Sequence, residues 1–131
     1  MAVIYLTGVY EDGTTPRAAW VPENPRQELS VIQATSNQII IQVTNPGGVP
    51  VAALGELILT VKQKPQDEPA LARIVGTWTP MLGAGTALFS WARLTMDGSP
   101  WGRYVYDVKW ANGSEVNVVI PASPFRLSPA V

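Results

Sequence analysis

Few side chains in this sequence could perform acid–base or nucleophilic chemistry. The 131 residues include no histidine and no cysteine, so the commonest general base and the thiolate nucleophile are both missing. Two carboxylate pairs remain, Glu11-Asp12 before a turn glycine and Asp67-Glu68 in a loop bounded by prolines. Paired carboxylates can transfer protons or bind calcium, but no calcium-loop spacing surrounds either pair. We therefore expect no catalytic residue, no metal site, no cofactor and no enzymatic activity.

Two tryptophans outside the predicted strands are the other candidates for binding. Trp20 lies in a proline-rich stretch, and Trp101 follows Pro100 in a turn. An exposed aromatic ring can stack on a sugar or anchor a protein partner. The more ordinary role is packing against the core of the same domain, and we favour that role for both residues.

The elements that would position these residues are strands, and the clearest of them runs from Gly102 to Trp110. Large side chains alternate there with charged ones, which indicates a strand with one buried face. Asn112-Gly113 follows, and an Asn-Gly pair between two alternating runs predicts a β-hairpin. The residues predicted to be buried are Tyr104, Tyr106, Val108 and Trp110.

The same pattern predicts most of the remaining strands. Proline and glycine clusters separate them, and no stretch of ten residues shows helical periodicity with caps. Many short strands with regular turn signals favour an all-β sandwich, with a barrel as the alternative. The further strands are predicted at residues 3–10, 38–44, 54–62, 71–79, 87–94 and 125–127, the last after a corner between Pro121 and Pro124.

The stretch from Thr14 to Gln27 differs in composition from the rest of the chain. Pro16, Pro22 and Pro25 lie within it, and proline removes backbone donors from a sheet. Long irregular connections are uncommon in compact domains unless they are functional. We therefore expect residues 1–28 to form an N-terminal strand with a proline-rich arm, and residues 29–131 to form the main domain.

Charge and hydropathy exclude several partners. The net charge is −1 and 15% of the residues are charged, which gives no electrostatic grip on nucleic acid or an anionic membrane. No apolar run reaches the ~18–20 residues that span a membrane. The first six residues lack the basic segment of a secretory signal. We expect synthesis in the cytoplasm, with no nucleic-acid or membrane partner.

The order of several short motifs resembles a known family. The motif Gly102-x-Tyr104-x-Tyr106-Asp107-Val108 is similar to one in the immunoglobulin-like N-terminal domain of phage baseplate upper proteins. Preceding segments match that family's order over about residues 36–131. They are Leu57-Ile-Leu59-Thr-Val61-Lys62, Leu88-Phe89-Ser90 and Asp97-Gly98. The resemblance implies an immunoglobulin-like antiparallel β-sandwich of about seven to nine short strands. It leaves the first 30 or so residues outside, and there we expect the extended proline-rich N-terminal arm.

The resemblance also implies a non-enzymatic phage virion protein, for example a capsid decoration, tail or baseplate accessory protein. Its partners would be other virion proteins, with homo-oligomers in the particle. On this hypothesis the arm adds a strand to a neighbour's sheet, with Trp20 as its anchor and Trp101 as a further contact. The strand residues are Val3, Ile4, Tyr5 and Leu6. The alternative is a carbohydrate-binding or adhesin module in which the two tryptophans stack on sugars.

Overall fold

The chain folds into strands that form two mixed sheets. The computed structural model describes residues 2–23, 26–64, 70–93, 95–96 and 98–129. Within these ranges there are nine strands and one short 3₁₀ turn, Pro80–Leu82. The strands are β1 Ala2–Val9, β2 Leu29–Ile32, β3 Asn37–Thr44, β4 Glu56–Lys62, β5 Ala72–Val75, β6 Thr77–Trp78, β7 Thr86–Trp91, β8 Gly102–Asn112 and β9 Glu115–Ser128.

The first sheet has four strands in the order β1-β3-β7-β6, and the second has five in the order β2-β9-β8-β4-β5. The alternation of apolar and polar residues explains why each strand has one buried face. In β4, for example, Leu57, Leu59 and Val61 are fully buried, while the residues between them are only partly covered.

One hydrophobic core lies between the two sheets. It takes Ile39 and Phe89 from the first sheet and Tyr106 and Phe125 from the second. The rings of Trp91 and Phe125 meet across the sheets at a centroid distance of 5.4 Å. Burial of this apolar surface is the main source of stability for a chain without disulfides.

The predicted hairpin is confirmed. β8 and β9 pair in antiparallel fashion up to Asn112 and Glu115. Gly113 is the first of the two loop residues and has a φ of 64°, a conformation that glycine adopts without strain. The alternating large residues of β8 are buried as expected.

The prediction of an all-β fold is also confirmed, but an entirely antiparallel arrangement is wrong. β1 pairs with β3 in parallel, and β2 pairs with β9 in parallel. Parallel neighbours need a long crossover connection, and the chain between β1 and β3 makes one by passing through β2 in the second sheet. The alternation of apolar and polar side chains predicts which face of a strand is buried, but not whether its neighbours run parallel or antiparallel to it.

The strand predicted at residues 71–79 is two strands in different sheets. β5 belongs to the second sheet and β6 to the first, and the chain crosses between them at Gly76. A Cβ at Gly76 would lie 2.6 Å from Cζ of the buried Phe89 ring. Glycine therefore lets the backbone pass close to the core at this crossing.

The predicted corner between Pro121 and Pro124 is wrong as well, because β9 continues through both prolines. The partner strand β2 begins to pair with β9 only at Phe125. Both prolines therefore lie where β9 has a neighbour on one side only, and there the missing N–H is tolerated.

We expect Gly76→Ala to lower the free energy of unfolding by about 1–3 kcal/mol, because the new methyl group would overpack Phe89. Chemical denaturation would measure the loss. The matched control is Gly98→Ala, since nothing lies within 4 Å of a Cβ placed at that position. Equal stability of the two variants would contradict the packing argument.

Candidate interaction surfaces

The outward side of the first sheet, together with the 3₁₀ turn, forms a surface that we call the uncharged face. The four strands of this sheet contain no charged residue. The strand residues that point outward are uncharged polar or apolar, and they include Val3, Tyr5, Thr7, Gln38, Ile40, Gln42, Leu88 and Ser90. An uncharged sheet face is unusual in a solvated surface, which normally carries mixed charges.

Large apolar side chains are exposed on the uncharged face. Tyr5 is 74% exposed, Val3 is 46% exposed and Leu82 is 49% exposed. Tyr5, Ile40 and Leu82 line one shallow groove of about 180 Å³. Met81, which precedes Leu82 in the 3₁₀ turn, is 96% exposed. Tyrosine and methionine are enriched, and charged residues depleted, in the buried centres of protein interfaces.

Strand β1 lies at the edge of the first sheet. The side-chain amide of Gln27 pairs with this edge at Thr7, where Oε1 accepts the backbone N–H at 2.9 Å and Nε2 donates to the carbonyl. Because backbone groups of a strand alternate in direction, those of Val3 and Tyr5 point to the same outer side as those of Thr7. The β1 edge is thus covered by Gln27 at Thr7.

The four residues predicted to add to a neighbour's sheet divide between two sides of β1. Val3 and Tyr5 point outward, whereas Leu6 is buried and Ile4 packs against the core. Their own strand is paired with β3 over its whole length. Only Val3 and Tyr5 therefore offer side chains to a partner.

The expectation that Trp20 and Trp101 pack into the core is wrong, since they are 72% and 65% exposed. Trp20 lies beside Gly48, where a Cβ would come within 2.2 Å of the indole ring. Gly48 follows the end of β3, whereas Trp101 precedes the start of β8, near the end where β3 begins. The two tryptophans therefore lie at opposite ends of the domain and do not form one site.

The Glu11-Asp12 pair has structural roles. The Glu11 carboxylate pairs with Arg17. Asp12 accepts hydrogen bonds from the backbone N–H groups of Thr14 and Thr15 and from the Thr15 hydroxyl. The hydrogen bond from the Thr15 hydroxyl has the largest effect, and together these bonds lower the pKa of Asp12 to about 2. The other pair, Asp67-Glu68, lies outside the described residues, as do Pro25 and Asp97.

The outward side of the second sheet forms a contrasting surface that we call the basic face. Within the described residues, five cations lie on it: Lys62, Arg73, Arg103, Lys109 and Arg126. Three carboxylates accompany them, from Glu28, Glu56 and Asp107, so the formal charge of this face is +2 in a chain of net −1. These cations come from four different strands, and only the strand register brings them onto one face.

Asp107 is the least solvated carboxylate of the basic face. Its Oδ1 atom is buried and has no hydrogen-bond partner among the described residues. Burial raises the pKa of Asp107, although Lys109 and Lys62 act in the opposite direction. Asp107 also lies where the pairing of β8 with β9 is interrupted by a register shift. It therefore marks an irregular point in the middle of the second sheet.

These observations define a small all-β domain with one uncharged and one basic face. No protein-family model and no curated protein matches the chain. Among solved structures, it is similar to the N-terminal domain of phage TP901-1 ORF48, with a TM-score of 0.48 and 11% sequence identity over 100% of both chains. A likeness at this distance carries no functional argument. The described residues include no helix long and apolar enough to cross a membrane.

We expect Gln27→Ala to open the β1 edge, because the substitution removes both hydrogen bonds to Thr7. The free energy of unfolding should fall by about 1 kcal/mol, and concentration-dependent association should increase in sedimentation velocity. Gln38→Ala is the control, since it removes an amide from the same sheet without opening an edge. A Gln27 variant that associates no more than the control would contradict this role.

Proposed function

We propose that this chain is a non-enzymatic structural protein of a phage particle, and that it binds other subunits through the uncharged face. The observation that carries the proposal is a sheet without charged residues whose outer side exposes Tyr5, Leu82 and the neighbouring Met81. Exposed apolar surface of this kind is typical of an interaction site.

The contrast between the two sheets supports a protein partner for the uncharged face. The second sheet has five cations on its outer side, so the chain does not lack charged residues in general. A charged side chain buried against a partner loses its hydration, which costs free energy unless it is paired. An uncharged face avoids that cost, and burial of its apolar atoms favours association.

The edge of β1 offers a second mode of contact beside the uncharged face. Residues Ala2–Val9 contain neither a charge nor a proline, the two devices that usually protect an edge strand. Gln27 covers Thr7, and Val3 and Tyr5 lie closer to the start of the strand. A strand of another subunit would pair here and bring its side chains beside Tyr5.

The assignment to a phage particle rests on the sequence motifs. The motif from Leu57 to Lys62 lies on β4 and the motif from Gly102 to Val108 lies on β8, and these strands are neighbours in the second sheet. An immunoglobulin-like arrangement and the division into residues 1–28 and 29–131 remain parts of the proposal. The partners would be capsid, tail or baseplate subunits, or further copies of this chain.

A carbohydrate-binding module is the second candidate. The exposure of Trp20 and Trp101 favours it, because an aromatic face in solvent can stack on a sugar ring. Their positions at opposite ends of the domain weigh against a single glycan site. The alternative therefore requires that one of the two tryptophans acts alone.

Tyr5→Lys should prevent incorporation of the chain into particles of the phage that encodes it, because a lysine would be buried in the proposed interface. The measurement is the copy number of the chain in purified particles, determined by quantitative mass spectrometry. Thr60→Lys is the matched control, since it adds the same charge to the basic face. Absence of the unsubstituted chain from purified particles would contradict the proposed function itself.

If the chain binds a glycan, tryptophan fluorescence should change when oligosaccharides are added, and either Trp20→Phe or Trp101→Phe should abolish that change. On the proposal favoured here, a panel of neutral and acidic oligosaccharides leaves the fluorescence unaltered. A saturable response that disappears with one of these substitutions would instead support the carbohydrate-binding module.

A further inference from the structure

Two arginines of the basic face lie directly opposite each other. Arg103 on β8 and Arg126 on β9 are register partners in the antiparallel pair, and both are exposed. Residues in such positions have Cβ atoms roughly 4.5–5.5 Å apart, and like charges there repel each other. The arrangement is therefore unfavourable for the free domain.

Neither guanidinium has a counter-ion within the described parts of the chain. The nearby carboxylate of Glu28 lines the same cavity of about 140 Å³, and its Oε1 accepts a hydrogen bond from the Ser30 hydroxyl at 3.1 Å. No ion pair or hydrogen bond joins Arg103 or Arg126 to any described residue. In the described part of the chain, no acceptor occupies these two fork-shaped donors, which together can bind an oxyanion.

Apolar surface lies next to the two arginines. Trp101 lines a cavity of about 220 Å³ with Arg103 and another of about 260 Å³ with Arg126. Trp101 directly precedes β8 and Arg103 is the second residue of that strand, so their Cα atoms are at most about 7 Å apart. An extended peptide along β8 could therefore place a carboxylate at the arginines and an apolar side chain at Trp101.

We propose that Arg103, Arg126 and Trp101 form a binding site for an acidic segment of a partner protein. One carboxylate of the segment bridges the two guanidinium groups, and the apolar residue two positions away packs on the indole ring. The apolar surface of Trp101 beside the arginines favours a protein segment, which carries an apolar side chain near its carboxylate, over a bare phosphate or sulfate group.

The site is independent of the proposed docking through the uncharged face, because it lies on the other sheet. The test uses the full chain and a blocked pentapeptide with glutamate and leucine at alternate positions, with a glutamine version of the peptide as its control. Titration calorimetry measures affinity, and the side-chain Nε–Hε signals of the arginines report the contact by NMR.

We expect the glutamate peptide to bind and the glutamine peptide not to bind. Arg103→Gln and Arg126→Gln should each weaken binding about tenfold, the loss of one charge-assisted hydrogen-bonded contact. Arg73→Gln, which removes one charge from the same face, should change affinity by less than about twofold. An equal loss of affinity with Arg73→Gln would show that the general positive charge of the face attracts the peptide, and it would overturn the proposed site.

Thermal unfolding provides a second readout that does not depend on the peptide. Arg126→Gln should raise Tm by about 1–4 °C, because it relieves the repulsion with Arg103, and the gain should shrink at high salt. An unchanged or lower Tm would overturn the unfavourable pair on which the proposal rests. Tighter binding of tripolyphosphate or a heparin oligosaccharide than of the glutamate peptide would overturn the assignment to a protein segment.

Discussion

The hydrogen bond from the Tyr106 hydroxyl to the Gln27 carbonyl connects the core to the edge of the first sheet. Tyr106 lies on the buried side of β8, and burial raises the pKa of its hydroxyl, so the group remains a donor. The bond holds Gln27 where its side chain covers Thr7 on β1. A core tyrosine thus helps to position the residue that covers the β1 edge at Thr7.

The distribution of charge follows from which strands share a sheet. β1, β3, β6 and β7 contain no charged residue, and the topology collects all four in the first sheet. The cations of β4, β5, β8 and β9 are collected in the second sheet in the same way. The chain is nearly neutral as a whole, yet its two faces differ in charge. Net charge alone therefore says little about the surfaces of a two-sheet domain.

The features that could be predicted from the sequence are those that depend on the periodicity of neighbouring residues. The hairpin and the buried side of β8 follow from alternation and from one Asn-Gly pair. The parallel pairs and the crossing at Gly76 depend on contacts between distant segments. Exposure of Trp20 could not be predicted either, because a lone aromatic in a proline-rich stretch packs against whatever the fold places nearby.

The pairing of Arg103 with Arg126 is the clearest example of a strand register that the sequence does not predict. If the register at the hairpin turn, where Asn112 faces Glu115, continued unchanged along β8, Arg103 would face Pro124. The irregularity around Asp107 shifts the register by two residues and brings the arginines together. Bulges of this kind re-aim side chains and are common next to functional sites. An irregularity that creates a like-charge pair is unfavourable for stability by itself, and an acidic ligand between the arginines would offset that cost.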